Sequence, residues 1–431
     1  MRITKNDLLN PAVVFSLIFL IQVSICLMAL FYLNLIFHME TLLILVGSNL
    51  IFLFFTMVLY RNKEKKIEDN NILSTLNIQR IFTIVAIVLF FIVIIIQYQR
   101  LGRIAAVSGL GGASLSEQIA FYDFLIKFDP ARYNRIGIYL PEYISDLIPI
   151  LQSFAYIVAY KSINNYILLK KVELLDVFLM VLFVVQLYLT GSRSPIFRLI
   201  TYMVFIFYIL TLKNGYSRFQ MKVVIKRIIS IAIAVLVLFF VSLSMFGRTN
   251  NYNNFHYLFI YLGAPLYNLD VFIQTHSFPI VQEYFGQQSF QSLYNYILPK
   301  IGQETYSLIL PYVQYSSVYG LGNVYTTFYQ FLYDFGYLGL IILTIGISGF
   351  YTTSYKNLLN FNKWNSNFSI LLFIYAYLFN DLIMLIFSNR FYETILSVNT
   401  LKIFIFTFII KSLLFDNGIN IWKYRIVLKL R

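Results

Sequence analysis

Arginine is the residue type whose placement in this sequence most strongly suggests chemistry. Arg193 lies within residues 189–195 (LTGSRSP), where one apolar run ends and the next begins with almost no loop. Gly191 permits a tight reversal there, and Pro195 suits the first turn of a following helix. A guanidinium binds phosphate oxygens bidentately, and a helix start favours anions. We therefore expect Arg193 to bind an anion, while Arg198 on the same helix either adds to the site or pairs structurally.

Several other arginines are predicted on the same, outer side of a membrane, where a guanidinium near the hydrocarbon costs about 2.5–3.5 kcal/mol on insertion scales. Such a set suits a lipid-linked phosphate or pyrophosphate, or an anionic sugar. The alternative is that some of them only reach up to phospholipid headgroups, which fits Arg100 and Arg103 better than the rest. The remaining candidates for anion binding are Arg132, Arg135, Arg248 and Arg390.

A second constellation covers residues 322–339 (GNVYTTFYQFLYDFGYLG). We expect Asn323 at the mouth of a helix and Asp334 about three turns below it. Acidic residues inside membranes are rare and are by default candidates for function. The alternative for Asp334 is a structural pair with an arginine inside the helix bundle.

The sequence contains three histidines. His38 falls in a short outer turn, and we interpret it as incidental. His256 and His276 follow Arg248 in a long outer segment, where either could act as a general base or simply be solvated. The chain shows no His/Asp/Glu spacing typical of a metal site and no phosphate-binding P-loop. We therefore expect neither a metal nor another cofactor, and no ATP-driven transport.

These residues must be positioned by membrane-spanning helices. Hydrophobic residues make up 59% of the 431 positions and charged residues 12%, and the mean hydropathy is +0.73. Soluble domains carry about 25% charged residues, and a span needs about 20 apolar ones. The sequence predicts a single all-α, polytopic transmembrane bundle over residues 1–431. The predicted spans are 11–33, 40–60, 80–97, 141–160, 173–191, 195–212, 228–246, 327–353, 367–387 and 398–415.

Two long outer loops are expected, the first at 98–140 and the larger at 247–326. Within the second, the apolar run 257–272 is interrupted at Gly263 and Pro265, which suits a re-entrant or interfacial segment better than a full span. Residues 294–310 are placed outside the membrane. Long loops rich in tyrosine and phenylalanine favour a functional role over disorder.

The orientation follows from the lysines, nearly all of which fall in one set of short loops. The positive-inside tendency places these loops, and both termini, in the cytoplasm. The net charge of +14 is spread over these loops, whereas a nucleic-acid binder clusters it on one solvated face. The amino-acid bias is that of an AT-rich bacterial genome, so we expect a multi-pass protein of the bacterial cytoplasmic membrane.

With these residues in view, the chain resembles the Wzy-type polymerases, which join the oligosaccharide repeat units of O-antigens and capsules. The resemblance rests on TGSRSP at a span boundary, FGR at 246–248, YLGAPLYNLD at 261–270 and the motif at 322–339. It implies a GT-C-like fold related to O-antigen ligases and a metal-independent glycosyltransferase. The implied partners are an undecaprenyl-pyrophosphate-linked glycan, membrane lipids and a chain-length regulator protein.

The resemblance also implies roles for the candidate residues. Arg193 and Arg248 would stabilise the leaving pyrophosphate, and Asp334, His256 or Glu304 would orient or deprotonate the acceptor. Ligases of the wider superfamily carry a His–Asn pair where this chain has Gly322 and Asn323. That histidine therefore has no counterpart here, which leaves the base unassigned and argues against a ligase. The tyrosines expected to stack on sugars are Tyr252, Tyr257, Tyr325 and Tyr329.

Three alternative functions stay open at this point. A flippase or transporter of lipid-linked oligosaccharides would carry charge in a central cavity, with short loops on both sides. The sequence instead concentrates its polar residues on one side. A ligase shares the polymerase chemistry and differs in its acceptor, and a sensor or scaffold would need an output domain.

Overall fold

The computed structural model describes residues 9–60, 73–215, 218–245, 254–280, 282–306, 310–314, 320–360, 368–415, 419–421 and 424–426. These residues form two compact units. The first unit comprises residues 1–67, 251–361 and 378–400, and the second comprises 68–250, 362–377 and 401–431. The described part is mostly helical, with almost no strand, as the sequence predicts.

The first unit contains seven helices and a small antiparallel strand pair. Its helices are α1 (Pro11–Leu33), α2 (Met39–Tyr60), α10 (Asn254–Leu262), α11 (Ala264–Thr275), α12 (Gln291–Ile297), α13 (Thr327–Leu358) and α15 (Arg390–Ile395), and its strands are β1 (Val313–Gln314) and β2 (Gly320–Gly322). Short 3-10 turns follow at Leu298–Ile301 and Met384–Ile386.

The second unit contains seven more helices and a second antiparallel pair. They are α3 (Arg80–Val107), α4 (Leu115–Phe128), α5 (Pro130–Ile136), α6 (Glu142–Leu169), α7 (Leu174–Tyr188), α8 (Ser194–Lys213) and α9 (Arg218–Met245), with β3 (Ile419–Ile421) and β4 (Tyr424–Ile426). Two helices, α14 (Ile370–Ile383) and α16 (Val398–Phe415), contribute residues to both units.

Seven helices in the described residues are long and apolar enough to cross a membrane: Pro11–Leu33, Met39–Leu59, Arg80–Val107, Glu142–Leu169, Ser194–Lys213, Thr327–Leu358 and Val398–Phe415. Leu174–Tyr188 and Ile370–Ile386 are apolar but shorter. The all-α fold class is therefore confirmed, and these helices agree with a helical membrane protein. The number of ten spans, their orientation and the GT-C-like fold stay predictions.

In the first unit, α13 packs along α2 with α1 beside them. The ring centroids of Phe15 and Phe52 lie 4.4 Å apart. Small polar side chains let the backbones approach, since Ser348 Oγ donates to the Phe52 carbonyl at 3.2 Å and Thr56 Oγ1 lies 3.1 Å from Thr352 Oγ1. Contacts of this kind, between small residues, hold helices together where apolar burial alone gives no preference.

In the second unit, α6 lies between α7 and α8, and Tyr156 on α6 packs edge-on against Phe183 and Tyr202. Lys161 on the same helix is 1% exposed and lies 3.0 Å from Asp176 and 3.1 Å from Glu173. Lys161 is one of the lysines that the sequence places in the cytoplasmic loops, but its side chain is not a solvated loop charge. Its burial in a pair with two carboxylates makes it an internal structural charge.

The segment 98–140, which the sequence predicts as a long loop, is largely helical. Helix α3 continues to Val107, ten residues beyond the predicted end of its span at 97, and α4 and α5 follow. Ser114 and Glu117 form a capping box at the start of α4, and Asp129 caps α5 through the Arg132 N–H at 3.0 Å. Local capping of this kind stabilises helices outside the long apolar runs.

The larger outer segment is also structured. Residues 257–272 fall on α10 and α11, which meet at Gly263 and are each shorter than the roughly 17 residues that a span needs. This agrees with a re-entrant or interfacial segment rather than a full span. Residues 294–310 hold the end of α12 and a 3-10 turn.

The predicted span at 327–353 is not one continuous helix. Gly336 has φ +64° and ψ −156°, a conformation that essentially only glycine adopts. A Cβ on Gly336 would also lie 3.5 Å from Pro279. The break leaves a short helical segment that carries Asp334 and a longer one that runs on to Leu358. Asp334 therefore lies at a helix end, and not partway down a span as the sequence suggests.

Candidate functional site

Arg193 lies in the reversal between α7 and α8, in the second unit. Gly191 has φ +78°, and a Cβ there would meet Asp123 Cβ at 3.1 Å and the Ile119 carbonyl at 3.4 Å. The turn is thus pressed directly onto α4. Arg193 occupies the capping position of α8 and is 9% exposed. The tight reversal predicted from LTGSRSP is present, and it holds the backbone of Arg193 at a helix start.

A layer of apolar side chains supports this reversal. Leu101 and Ile104 on α3 pack with Ile119, Tyr122 and Leu125 on α4. Leu189, at the end of α7, belongs to the same cluster. The segment predicted as a loop therefore provides the rigid support on which the Arg193 turn rests.

Arg100 lies beside the same layer and is buried, at 9% exposure. It donates a hydrogen bond to the Tyr122 hydroxyl, and its guanidinium carbon lies 4.6 Å from the centroid of that ring. The interpretation of Arg100 as a side chain that snorkels to the lipid headgroups is therefore wrong. It is a packed internal cation.

The other candidate arginines of this unit differ in exposure. Arg132 and Arg135 on α5 are exposed, and Arg132 lies over the Phe121 ring at 5.3 Å. Arg198 on α8 donates to the Tyr377 hydroxyl at 3.2 Å and lies 4.8 Å from the centroid of that ring. Arg132 and Arg135 are thus accessible to a ligand, whereas Arg198 is held against a tyrosine.

Asp334, in the first unit, is 3% exposed, and backbone N–H groups bind both of its carboxylate oxygens. The N–H of Ser289 donates to Oδ2 at 2.6 Å and the N–H of Gln288 donates to Oδ1 at 3.2 Å. Gln282 Nε2 donates to the Asp334 carbonyl at 2.7 Å. The carboxylate anchors the loop at 282–290 to the end of the short helical segment, and its partner is backbone rather than an arginine.

Asn323 and Tyr325 lie on a segment that contacts α11 through the side chain of Asn268. Asn268 Nδ2 approaches the carbonyls of Leu321, Gly322 and Val324 at 3.4, 3.3 and 2.9 Å. Asn323 itself is half-buried. Tyr325 is 3% exposed and donates to the Pro311 carbonyl at 2.9 Å, so its ring has no free face for a sugar. Burial raises the pKa of Tyr325 to about 12.

Arg390 and Glu304 occupy different surroundings in the same unit. Arg390 Nη1 lies 3.4 Å from Glu393 Oε2 on α15, and burial raises the pKa of Glu393. Glu304 is exposed, in the irregular stretch after the 3-10 turn. A role for Glu304 in orienting an acceptor stays a prediction.

One cluster of polar residues was missed from the sequence. Asp270 on α11 is 1% exposed, and His38, in the turn between α1 and α2, lies 2.9 Å from it, from Nδ1 to Oδ2. Thr41 Oγ1 donates to Asp270 Oδ1 at 2.6 Å. His38 is therefore not an incidental turn residue. An acid inside the apolar run 257–272 was the available signal for this pair.

The side chains of four predicted site residues, Arg248, Tyr252, His256 and Tyr257, lie outside the described part of the chain. The backbones of His256 and Tyr257 belong to α10. The described residues contain no group of three His, Cys, Asp or Glu side chains that could hold a metal ion.

Comparison with models of protein families, with curated proteins and with solved structures finds no match to the chain.

Proposed function

We propose that the protein is a membrane glycosyltransferase that polymerises lipid-linked oligosaccharides. It transfers the growing glycan from undecaprenyl pyrophosphate to one lipid-linked repeat unit, on the outer face of the bacterial cytoplasmic membrane. The proposal rests on the resemblance of its motifs to those of Wzy-type polymerases and on the chemistry of the arginine-bearing reversal.

Arg193 is the observation that supports this proposal most. Its backbone is held by a reversal that has Gly191 against α4, at the start of α8, and the residue is 9% exposed. Holding a cation at such a buried position costs conformational freedom and solvation. A fixed cation at a helix start is suited to an anion that carries more charge in the transition state than in the bound substrate.

The proposed reaction needs this kind of group. A sugar hydroxyl of the acceptor attacks the anomeric carbon, the bond from that carbon to the pyrophosphate oxygen breaks, and the pyrophosphate leaves with the bonding electrons. Arg193, together with Arg248, would stabilise the charge on the leaving group. The exposed pair Arg132 and Arg135, in the same unit as Arg193, would contact the more distant parts of the substrate.

Removal of the Arg193 guanidinium tests this proposal. Arg193→Ala should lower polymer formation by at least about 10²–10³-fold, the usual loss when one preorganised donor is removed from a transition state. Arg193→Lys keeps the charge but not the fork, and should retain part of the activity. The assay is the glycan ladder of a strain that lacks the native gene and carries each variant, with membrane insertion checked by immunoblotting of the membrane fraction.

Arg103→Ala is the matched control, because Arg103 is an exposed arginine of α3 in the same unit. It should leave the ladder unchanged. A full-length ladder from Arg193→Ala would contradict the assigned role. Accumulation of repeat units on the inner face of the deletion strain would instead favour a flippase.

A further inference from the structure

The side chains of His38 and Asp270 form a dyad in the first unit. His38 Nδ1 lies 2.9 Å from Asp270 Oδ2, and the His38 backbone N–H donates to Oδ1 at 3.1 Å. Thr41 Oγ1 donates to the same Oδ1 at 2.6 Å. Three donors from the start of α2 therefore fix the Asp270 carboxylate, and the carboxylate in turn fixes the imidazole ring.

The hydrogen bond between Asp270 and the ring determines the tautomer of His38. An ionised carboxylate only accepts hydrogen bonds, so the proton of a neutral imidazole must be on Nδ1. Nε2 then carries the free lone pair, and it forms no hydrogen bond to a described residue. A histidine that is oriented through Nδ1 and open at Nε2 has the geometry of a general base.

Exposure separates the two members of the dyad. The His38 side chain is 46% exposed, while Asp270 is 1% exposed. The carboxylate is thus shielded from solvent, and the ring it orients can still reach a substrate. Two of the alternative bases named from the sequence are less suited, because Asp334 is occupied by backbone N–H groups and Glu304 has no orienting partner among the described residues. The side chain of a third, His256, lies outside the described residues.

Helix α11 connects this dyad to the segment that carries Asn323. Asn268, two residues before Asp270, contacts the carbonyls of Leu321, Gly322 and Val324. One short helix therefore positions both the dyad and the segment that carries Asn323.

We infer that His38 is the general base of the proposed transfer and that Asp270 is its positioning residue. This inference rests on the proposed function. Nε2 accepts the proton of the acceptor hydroxyl while the oxygen forms its bond to the anomeric carbon, and the pyrophosphate leaves with the electrons of the broken carbon–oxygen bond. The imidazolium then releases its proton to water, so no oxidant or metal is consumed.

A purely structural role for Asp270 makes different predictions. Its contacts to the His38 N–H and to Thr41 also cap the start of α2, and loss of a cap costs stability. If Asp270 only caps α2, its contacts to the His38 N–H and to Thr41 are explained, but the imidazole ring has no function. Loss of the ring should then lower stability and leave the pH dependence of the rate unchanged.

The pH dependence of the rate separates the two roles. A general base must be deprotonated, so the wild-type rate should fall as the pH falls. The titratable groups on the elements packed against the dyad include Cys26, which interacts electrostatically with Asp270, and Tyr32 on α1, Glu40 on α2, Tyr267 on α11 and Tyr337 on α13. Glu40 accepts a hydrogen bond from the Tyr337 hydroxyl at 2.6 Å.

The experiment uses the full-length protein reconstituted in vesicles, with lipid-linked repeat units extracted from the deletion strain as substrate. His38→Gln should lower the turnover number by about 10²–10⁴-fold, the usual contribution of a general base, and should remove the acidic limb of the pH profile. His38→Gly should recover activity when imidazole is added. Thr41→Val, which removes a contact to Asp270 but keeps the ring, should retain the acidic limb.

Each outcome decides between the alternatives. Wild-type turnover in His38→Gln, with polymerisation intact, would overturn the dyad and leave the proposed function standing. An acidic limb that persists in a weakened His38→Gln would assign the dyad to the cap of α2. If the wild-type protein forms no polymer from these substrates, the proposed function itself fails.

Discussion

Two aspartates of the first unit are almost equally buried, at 1% exposure for Asp270 and 3% for Asp334, but their partners differ. Asp334 accepts hydrogen bonds from the backbone N–H groups of Gln288 and Ser289. Asp270 accepts hydrogen bonds from a threonine hydroxyl and from His38, whose ring is 46% exposed. One carboxylate is joined to a loop and the other to a titratable group that reaches solvent.

This difference shows why burial alone does not identify a catalytic acid. A buried carboxylate is satisfied when its oxygens receive donors, whatever those donors are. Backbone donors cannot carry a proton away, so Asp334 stabilises a loop. An imidazole can take up a proton on its second nitrogen, so Asp270 can affect chemistry through His38. The exposure of the partner is therefore more informative than the exposure of the acid.

The largest difference between the two aspartates is expected when each carboxylate becomes an amide. Asp270→Asn keeps the size of the side chain but can present its NH₂ group to His38, which favours the wrong tautomer. We expect turnover to fall by about 10²–10⁴-fold and the acidic limb of the pH profile to change, with little change in KM. A rise in KM with unchanged turnover would show that Asp270 serves substrate binding instead.

A smaller effect is expected from Asp334→Asn. One oxygen still accepts an N–H group, while the amide NH₂ faces the second donor, so one buried donor is left unsatisfied at a cost of about 1–3 kcal/mol. The apparent melting temperature in detergent should fall, and limited proteolysis within residues 282–290 should become faster. The acidic limb of the remaining activity should persist, and its loss would place Asp334 in the proton transfer after all.

The smallest effect is expected from a change at Asn268. This change tests the support of the segment that carries Asn323 separately from the His38–Asp270 dyad. Asn268→Ala removes the side-chain contacts to the carbonyls of Leu321, Gly322 and Val324. The two amide hydrogens make at most two full hydrogen bonds, each worth about 0.5–1.5 kcal/mol. We expect KM for the acceptor to rise more than turnover falls, because Asn323 loses its support. Equal losses in turnover for Asn268→Ala and Asp270→Asn would mean that α11 acts as one unit.

The membrane character of the protein was predictable from the sequence, because apolar runs of the length of a span indicate helices without any tertiary information. Each of the ten predicted spans overlaps a helix of the described residues, and seven of the helices meet the criteria of length and hydropathy. The reversal at Arg193 was also predictable, since a glycine and a proline between two apolar runs leave little other choice.

The structure at 98–140 and at Gly336 could not be predicted in the same way. Helices α4 and α5 depend on local caps and on packing against the end of α3, which hydropathy does not reveal. The break in α13 arises where Gly336 meets Pro279, a contact between residues far apart in the chain. The dyad is a third case, because His38 and Asp270 are separated by 232 positions.

Reconstitution of the wild-type protein in vesicles, with lipid-linked repeat units extracted from the deletion strain, tests the polymerase function most directly. The proposed function predicts a ladder of glycans and the release of one undecaprenyl pyrophosphate for each linkage formed. Arg193→Ala should form neither. Transfer of intact repeat units from one leaflet to the other, with no new linkage and no released pyrophosphate, would contradict the polymerase and identify a flippase.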